Sequence, residues 1–190
     1  HRRQTHTLIL SQYNVVITGG TKGVGKSLAE KFVRSGDNVA ICSRDETRVK
    51  SAVESLQNLA NELKTCTTVV GLPINIAKAK EVSDFATYAV NELGTIDLWI
   101  NNAGTNAYTF KPLLEQTEED LISVVETNVL GTLLCCRQAI KVMKTQPNGG
   151  HIFNMDGAGA DGGATPRFAA YGATKRSLAQ LNSSISAELQ

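Results

Sequence analysis

The chain is 190 residues long and 42% hydrophobic, with 19 basic and 18 acidic residues and a formal net charge of +1. That length suits one domain with a substantial core, and balanced charge without a basic block lacks the electrostatic footprint of a nucleic-acid binder. Cys42, Cys66, Cys135 and Cys136 form no C-x-x-C and do not cluster with His1, His6 or His151, so neither a zinc site nor a disulfide framework is supported and the cysteines read as buried free thiols.

The chain opens at His1 with polar HRRQTH, without methionine or a signal-peptide core, so we expect an upstream segment that was removed or omitted. No uninterrupted apolar run approaches the roughly 18–20 residues that span a bilayer. YNVVIT predicts a strand, followed by a helix near Val24–Ser35; NVAIC a second, with a helix near Glu46–Leu63; and CTTVVGL a third, with a helix near Ala79–Leu93. IDLWI, a long helix near Glu118–Lys144, HIFNM and a helix from about Pro166 to Leu189 complete the series. Five strands alternating with helices predict an α/β fold, a doubly wound parallel sheet in three α/β/α layers, with residues 1–190 as one domain. No segment follows that would form a sixth parallel strand, and the expectation is a fragment lacking that strand and the substrate lid, since an uncovered edge of that kind invites aggregation.

The first strand runs into TGGTKGVG, Thr18–Gly25, and then into a helix. Glycines there permit a tight turn and close approach to a pyrophosphate, while the helix start favours negative charge. Gly19, Thr21, Lys22, Gly23, Val24 and Gly25 are the candidate contacts. After the second strand stand Ser43 and Arg44, with Asp45 one place later; a basic residue there suits a ribose 2′-phosphate and an acid suits a free hydroxyl. With Lys22 as a second cation, the pattern favours NADP(H) over NAD(H), although each cation singly reads as well as a solvated surface charge. Asn75, next to Ile76, stands where an amide meets an adenine edge. Asn101–Gly104, NNAG, sits at a strand's carboxyl end and reads equally as a ligand site, through Asn102, Ala103 and Gly104, or as a turn stabilised by Asn side chains.

Tyr171 and Lys175 lie four apart on a predicted helix and therefore on one face. A phenol ordinarily ionises near pH 10, and a neighbouring ammonium would lower that value and stabilise the phenolate. Asn128 falls on an apolar stripe at 121, 124, 125, 129, 133 and 136, where it is either a satisfied structural amide or the holder of a water linking Lys175 to solvent. A nicotinamide site joined to a Tyr–Lys donor specifies hydride transfer to a carbonyl carbon and proton transfer to its oxygen.

TGGTKGVG, NNAG, Asn128 and Tyr171-x-x-x-Lys175, in that order, resemble the signatures of the classical short-chain dehydrogenase/reductase superfamily. The resemblance implies a Rossmann-type sheet, Tyr171 as proton donor, Lys175 on the nicotinamide ribose, Asn128 completing a relay, and association through the two long helices into a homo- or hetero-oligomer. Two positions depart from it: Asn75 replaces a usual acid, and Asp156-Gly157 replace the carbonyl-orienting serine.

IDLWINNAGTNAY, FKPLLE and GGHIFNMDGAGADGGATPRFAAYGATKRS further resemble chlorophyll(ide) b reductases of the non-yellow-colouring type. That resemblance implies NADPH-dependent reduction of the 7-formyl group of chlorophyll(ide) b in the chloroplast, at the thylakoid membrane or its stromal face, with peripheral association possible. A backbone N–H near Gly157, or water, would then replace the serine, and Asp156 would either cap nearby N–H groups or stay protonated. The glycines read equally as room for a chlorin and as a flexible loop. Arg167 reads as an ordinary exposed helix-start residue before a substrate carboxylate or ester contact. The rival readings are a reductase of another bulky aldehyde or ketone (retinoid, steroid, quinone) and a non-catalytic NADPH-binding scaffold.

Overall fold

Five short apolar runs become β1 (Asn14–Thr18), β2 (Asn38–Ser43), β3 (Val69–Pro73), β4 (Leu98–Asn101) and β5 (His151–Asn154) in the computed structural model, which describes residues 12–189. The opening HRRQTH, with His1 and His6, lies outside the described residues. All strand pairs are parallel, in the order β3-β2-β1-β4-β5. Because side chains alternate along a strand, Val15 and Ile17 enter the core that buries Ala29 and Val33 of α1 (Gly23–Ser35) and Leu56 and Ala60 of α2 (Glu46–Leu63). Val16 enters the opposite core, with Val82 and Phe85 of α3 (Ala79–Leu93), Trp99, and Cys135 and Ala139 of α5 (Thr132–Met143). Helices thus cover both faces of the sheet. Trp99 is fully buried and meets Phe85 edge to face at 6.2 Å; burying each such ring stabilises the fold by about 1.5–3 kcal/mol.

The strand order reverses at β1, which pairs with β2 on one side and β4 on the other. Ligands bind in open parallel sheets outside the carboxyl ends at such a switch point. Thr18 of β1 and Asn101 of β4 end there together.

Four sequence expectations need correction. The helix predicted over 118–144 is α4 (Glu118–Val125), a π-turn over Glu126–Gly131, and α5. An extra residue in a turn rotates the following face by about 100°, so Leu133, expected in the buried stripe, is about half exposed while Thr132 and Cys135 are buried; Val125, expected in the same stripe ahead of the turn, is half exposed as well. The last helix, α6, covers Ala169–Glu188 and does not start at Pro166, because Arg167 takes a φ of 65°. β3 begins at Val69, three residues later than predicted. Cys42, Cys135 and Cys136 are buried, but Cys66 is exposed. No described helix is long and apolar enough to cross a membrane.

Candidate active site

The turn between β1 and α1 is closed by its neighbours' backbones. Gly19, at φ 67°, and Gly20 donate their N–H groups to the Cys42 carbonyl at 2.8 and 3.3 Å. Asn102 Nδ2 donates to the carbonyls of Thr18 (3.0 Å) and Gly19 (3.2 Å), while Thr18 Oγ1 accepts from the N–H groups of Asn102 (3.1 Å) and Ala103 (3.0 Å). The NNAG segment therefore locks the glycine turn, with Thr18 as the buried hinge between them. A Cβ on Gly25 would overlap the Gly19 carbonyl and the Asn102 amide, whereas one on Gly23 would meet nothing. Thr21 is half-buried, while Lys22 and Val24 are exposed.

Several features of this end suit an anionic cofactor. The first turn of α1 has no side-chain cap and no acidic residue, leaving its N–H groups and the positive end of the helix dipole for a phosphate. Ser43 Oγ is buried without a hydrogen-bond partner, which a ligand group would satisfy. Asp45 caps α2 through the Arg48 N–H (3.0 Å) and pairs with the Arg48 side chain (3.2 Å), and Arg44 forms no ion pair among the described residues. Lys22 Nζ donates to Tyr108 Oη at 2.8 Å, and this bond and charge, followed by Arg44 and Arg48, hold the Tyr108 phenol below its ordinary value. Three cations thus surround one phenol at the end of β2, a cluster with no compact sequence signal because Tyr108 comes from the loop after β4.

Asn75 Oδ1 accepts the Ala77 N–H (3.0 Å), so half of its amide shapes the loop after β3, and the Asn75 N–H donates to Glu81. Ile76 is buried in the α3 and α5 core against Gly131.

At the reacting end, α6 brings Tyr171 and Lys175 together, with Lys175 Nζ 5.7 Å from the Tyr171 ring centroid. Lys175 is buried and donates to the Met155 carbonyl at 2.7 Å. Asn128 is buried and satisfied on three sides: its Oδ1 accepts the Thr105 N–H (2.8 Å), and Nδ2 donates to the Thr105 carbonyl (2.8 Å) and Thr174 Oγ1 (3.0 Å). It binds the loop after β4 to α6 and flanks Gly104, where a Cβ would stand 3.4 Å from Asn128 Oδ1 and 3.7 Å from Lys175 Nζ. Below the site, Asn101 Nδ2 donates to Asn154 Oδ1 (2.8 Å), and Asn154 Nδ2 to Asn182 Oδ1 (2.7 Å), linking β4, β5 and α6.

Two electrostatic expectations change. Lys175 does not lower the Tyr171 phenol: burial raises it, and the charge of Asp156 raises it further. Burial lowers the Lys175 ammonium, with Asp156 opposing. Asp156 is exposed and its carboxylate caps no N–H among the described residues, so the expected capping role is absent. A Cβ on Gly157 would overlap the Tyr171 hydroxyl, and the Gly157 N–H makes no backbone hydrogen bond among the described residues.

Tyr171 opens onto a cleft of about 440 Å³ lined by Lys22, Gly104, Thr105, Asn106, Tyr108, Ala158 and Phe168. Phe168 meets Tyr171 edge to face at 6.2 Å and Phe110 at 4.8 Å, making an aromatic row that runs from the cleft to the exposed Phe110. Sequence reasoning missed Thr18, Tyr108, Phe110, Phe168 and Thr174, each of which has a partner distant in the chain. Chemically, the cleft offers a protonated phenol beside a buried ammonium, an unused backbone N–H, and an anion-binding helix start.

The sequence model described as short chain dehydrogenase matches residues 13–190. A protein of Arabidopsis thaliana named "Chlorophyll(ide) b reductase NOL, chloroplastic" is 55% identical over 178 residues, covering 94% of this chain and 50% of that protein. Another from Arabidopsis thaliana, "Probable chlorophyll(ide) b reductase NYC1, chloroplastic", is 46% identical over 93% of this chain and 38% of its own length. The chain thus spans about half the length, or less, of these curated relatives. A short-chain type dehydrogenase/reductase structure from Mycobacterium ulcerans superposes with a TM-score of 0.84 at 25% identity, covering 95% of this chain and 64% of that one.

Proposed function

The chain belongs to the short-chain dehydrogenase family, and from that premise we propose that it is an NADPH-dependent reductase of the 7-formyl group of chlorophyll(ide) b, yielding the 7-hydroxymethyl product. The observation that carries the chemistry is the Tyr171 hydroxyl, seated against Gly157 at the cleft with Lys175 Nζ 5.7 Å from its ring. The substrate rests on likeness to the two chlorophyll(ide) b reductases, which extends along more than nine-tenths of the chain.

When bound, NADPH supplies a hydride to the formyl carbon. The glycine turn at Gly19, Thr21, Gly23, Val24 and Gly25 would hold the pyrophosphate, and Gly25 keeps the turn closed. Lys22 and Arg44 would hold the 2′-phosphate and Ser43 the adjoining ribose. Asn75 and Ile76 would hold the adenine, and Asn102, Ala103 and Gly104 the nicotinamide. Tyr171 gives its proton to the developing alkoxide. Raised by burial, the phenol stays protonated through neutral pH, as a donor must. Lys175, buried beside the Tyr171 ring, would hold the nicotinamide ribose, and Asn128, bonded to Thr105 and Thr174, ties the helix that carries Lys175 to the loop after β4. The Gly157 N–H donates to the same oxygen in place of a serine; a donor of this kind is worth about 2.7–4 kcal/mol in a transition state. Asp156 faces both proton carriers as a charge.

The same reading places the protein in the chloroplast, peripheral to the thylakoid membrane. It also makes the protein a homo- or hetero-oligomer, which the half-exposed Ile122, Val125, Leu130 and Leu133 of the α4 and α5 rod support. The test is an assay of the full-length protein with chlorophyll b or chlorophyllide b and NADPH, reading the 7-hydroxymethyl product by chromatography. Turnover of a retinoid, steroid or quinone with neither pigment consumed would replace the substrate, and cofactor binding without turnover of any carbonyl would remove the enzyme.

A further inference from the structure

We propose that Arg167, at the far end of the aromatic row that starts at Tyr171, is a specificity residue, binding a free carboxylate on the substrate and so favouring the unesterified pigment, chlorophyllide b, over chlorophyll b. The proposal rests on the reductase reading above and adds to it which form of the substrate the cleft prefers.

Arg167 stands in a tight turn. The Phe168 N–H donates to the Thr165 carbonyl at 2.9 Å, which makes Thr165–Phe168 a four-residue turn with Pro166 second and Arg167 third. Arg167 has a φ of 65°, and turns of this type call for glycine or asparagine at the third position because a Cβ is disfavoured there. An arginine in a strained setting needs something its side chain supplies, and observed strain of this kind is a pointer to function. The glycines at 157, 159, 162 and 163 show that this loop is otherwise built from small residues.

The side chain is also placed. Its guanidinium carbon lies 5.1 Å over the centroid of the Phe110 ring, a cation–π geometry that holds the group without neutralising it. Arg167 forms no ion pair among the described residues, whose five ion pairs all lie within single helices or at their caps. Phe110 stacks on Phe168 and Phe168 on Tyr171. One continuous aromatic wall therefore runs from the proton donor to an uncompensated cation. A flat, largely apolar ring with a reducible carbonyl at one end and an anionic group at the other matches that order. A guanidinium pairs with a carboxylate through two parallel N–H···O bonds, and an ester offers it no negative charge. Chlorophyllide b carries a free carboxylate where chlorophyll b carries an ester.

The test compares kcat and KM for chlorophyllide b and its methyl ester, using the full-length enzyme with saturating NADPH. The unmodified enzyme is expected to favour the free acid by roughly 10-fold in kcat/KM, the size of one charge-assisted contact at a partly exposed site. Arg167→Gly should abolish that preference through KM, with kcat unchanged, and should raise the thermal midpoint because glycine accepts the left-handed backbone. Arg167→Lys should keep part of the preference. No preference in the unmodified enzyme, or a preference that survives in Arg167→Gly, overturns the role of Arg167 and leaves the reductase reading intact. Turnover of neither pigment by the unmodified enzyme overturns the reductase reading, and this proposal with it.

Discussion

In the turn after β1, a Cβ on Gly25 would strike the Gly19 carbonyl and the Asn102 amide, whereas in the loop after β5 a Cβ on Gly157 would strike the Tyr171 hydroxyl. The first glycine lets backbone approach backbone, in a region already closed by hydrogen bonds that the Asn102 amide donates and that Thr18 Oγ1 and the Cys42 carbonyl accept. The second lets a side chain approach backbone, in a loop whose N–H at 157 is unused. The same residue type thus builds a rigid cradle after β1 and vacates working space after β5, both along the carboxyl ends of the parallel strands. Substitution at the cradle should reach stability and cofactor affinity, and substitution in the loop should reach turnover.

The largest expected effect tests the loop. Tyr171→Phe removes only the proton donor and should lower kcat for formyl reduction by about 10²–10⁴-fold, with the NADPH dissociation constant unchanged by fluorescence titration; retained turnover would move the proton to another group. Next comes the paired glycine test. Gly25→Ala should cost about 1–3 kcal/mol of stability, as overpacking against fixed backbone does, and should weaken NADPH binding. Gly157→Ala should displace the phenol and lower kcat while leaving the denaturation midpoint and the NADPH constant near their starting values. Equal loss of stability in both variants would erase the distinction between the two regions.

A smaller effect separates cofactors. Arg44→Ala should raise the KM for NADPH about tenfold, as expected for one charge-assisted contact, while leaving NADH unaffected. An equal rise for both cofactors would take the 2′-phosphate away from Arg44. The smallest effect is on pH dependence. The negative charge of Asp156 favours the protonated forms of both Tyr171 and Lys175. Asp156→Asn therefore lets each group lose its proton at lower pH, and the alkaline limb of the kcat/KM profile should move downward. A limb that stays in place or moves up would show that Asp156 does not act on the proton carriers.

Much of the fold is legible in the sequence because its signals are local. The predicted bounds of α2 and α3 match the observed ones, and α2 follows an Asp45 cap that is visible in the sequence itself. The five strands announce themselves as apolar runs between breaks, and the motif residues converge because strand ends and helix starts do. The remainder depends on contacts between distant segments. Nothing in ETNVLG marks a π-turn, since only a change of hydrogen-bond register distinguishes it from an α-helix. Lys175 bonds to the Met155 carbonyl and not to a side chain, so no residue pair predicts that contact. Arg167 looks like a helix-start arginine until its backbone is seen to turn left-handed. The Lys22 and Tyr108 pair and the Phe110 and Phe168 pair join loops whose order in the chain carries no hint of their meeting.

The π-turn at Glu126–Gly131 also divides the rod formed by α4 and α5 into two reading frames. Its first half is keyed to α6 and its second half to α3 and the sheet. Asn128 sits at the joint, with its amide directed to Thr105 and Thr174. Deleting one residue there would leave every helical hydrogen bond available, but it would turn one half relative to the other. The rod therefore works as a coupling with a fixed phase, and its sequence length between Thr117 and Lys144 is as specific a requirement as any side chain on it.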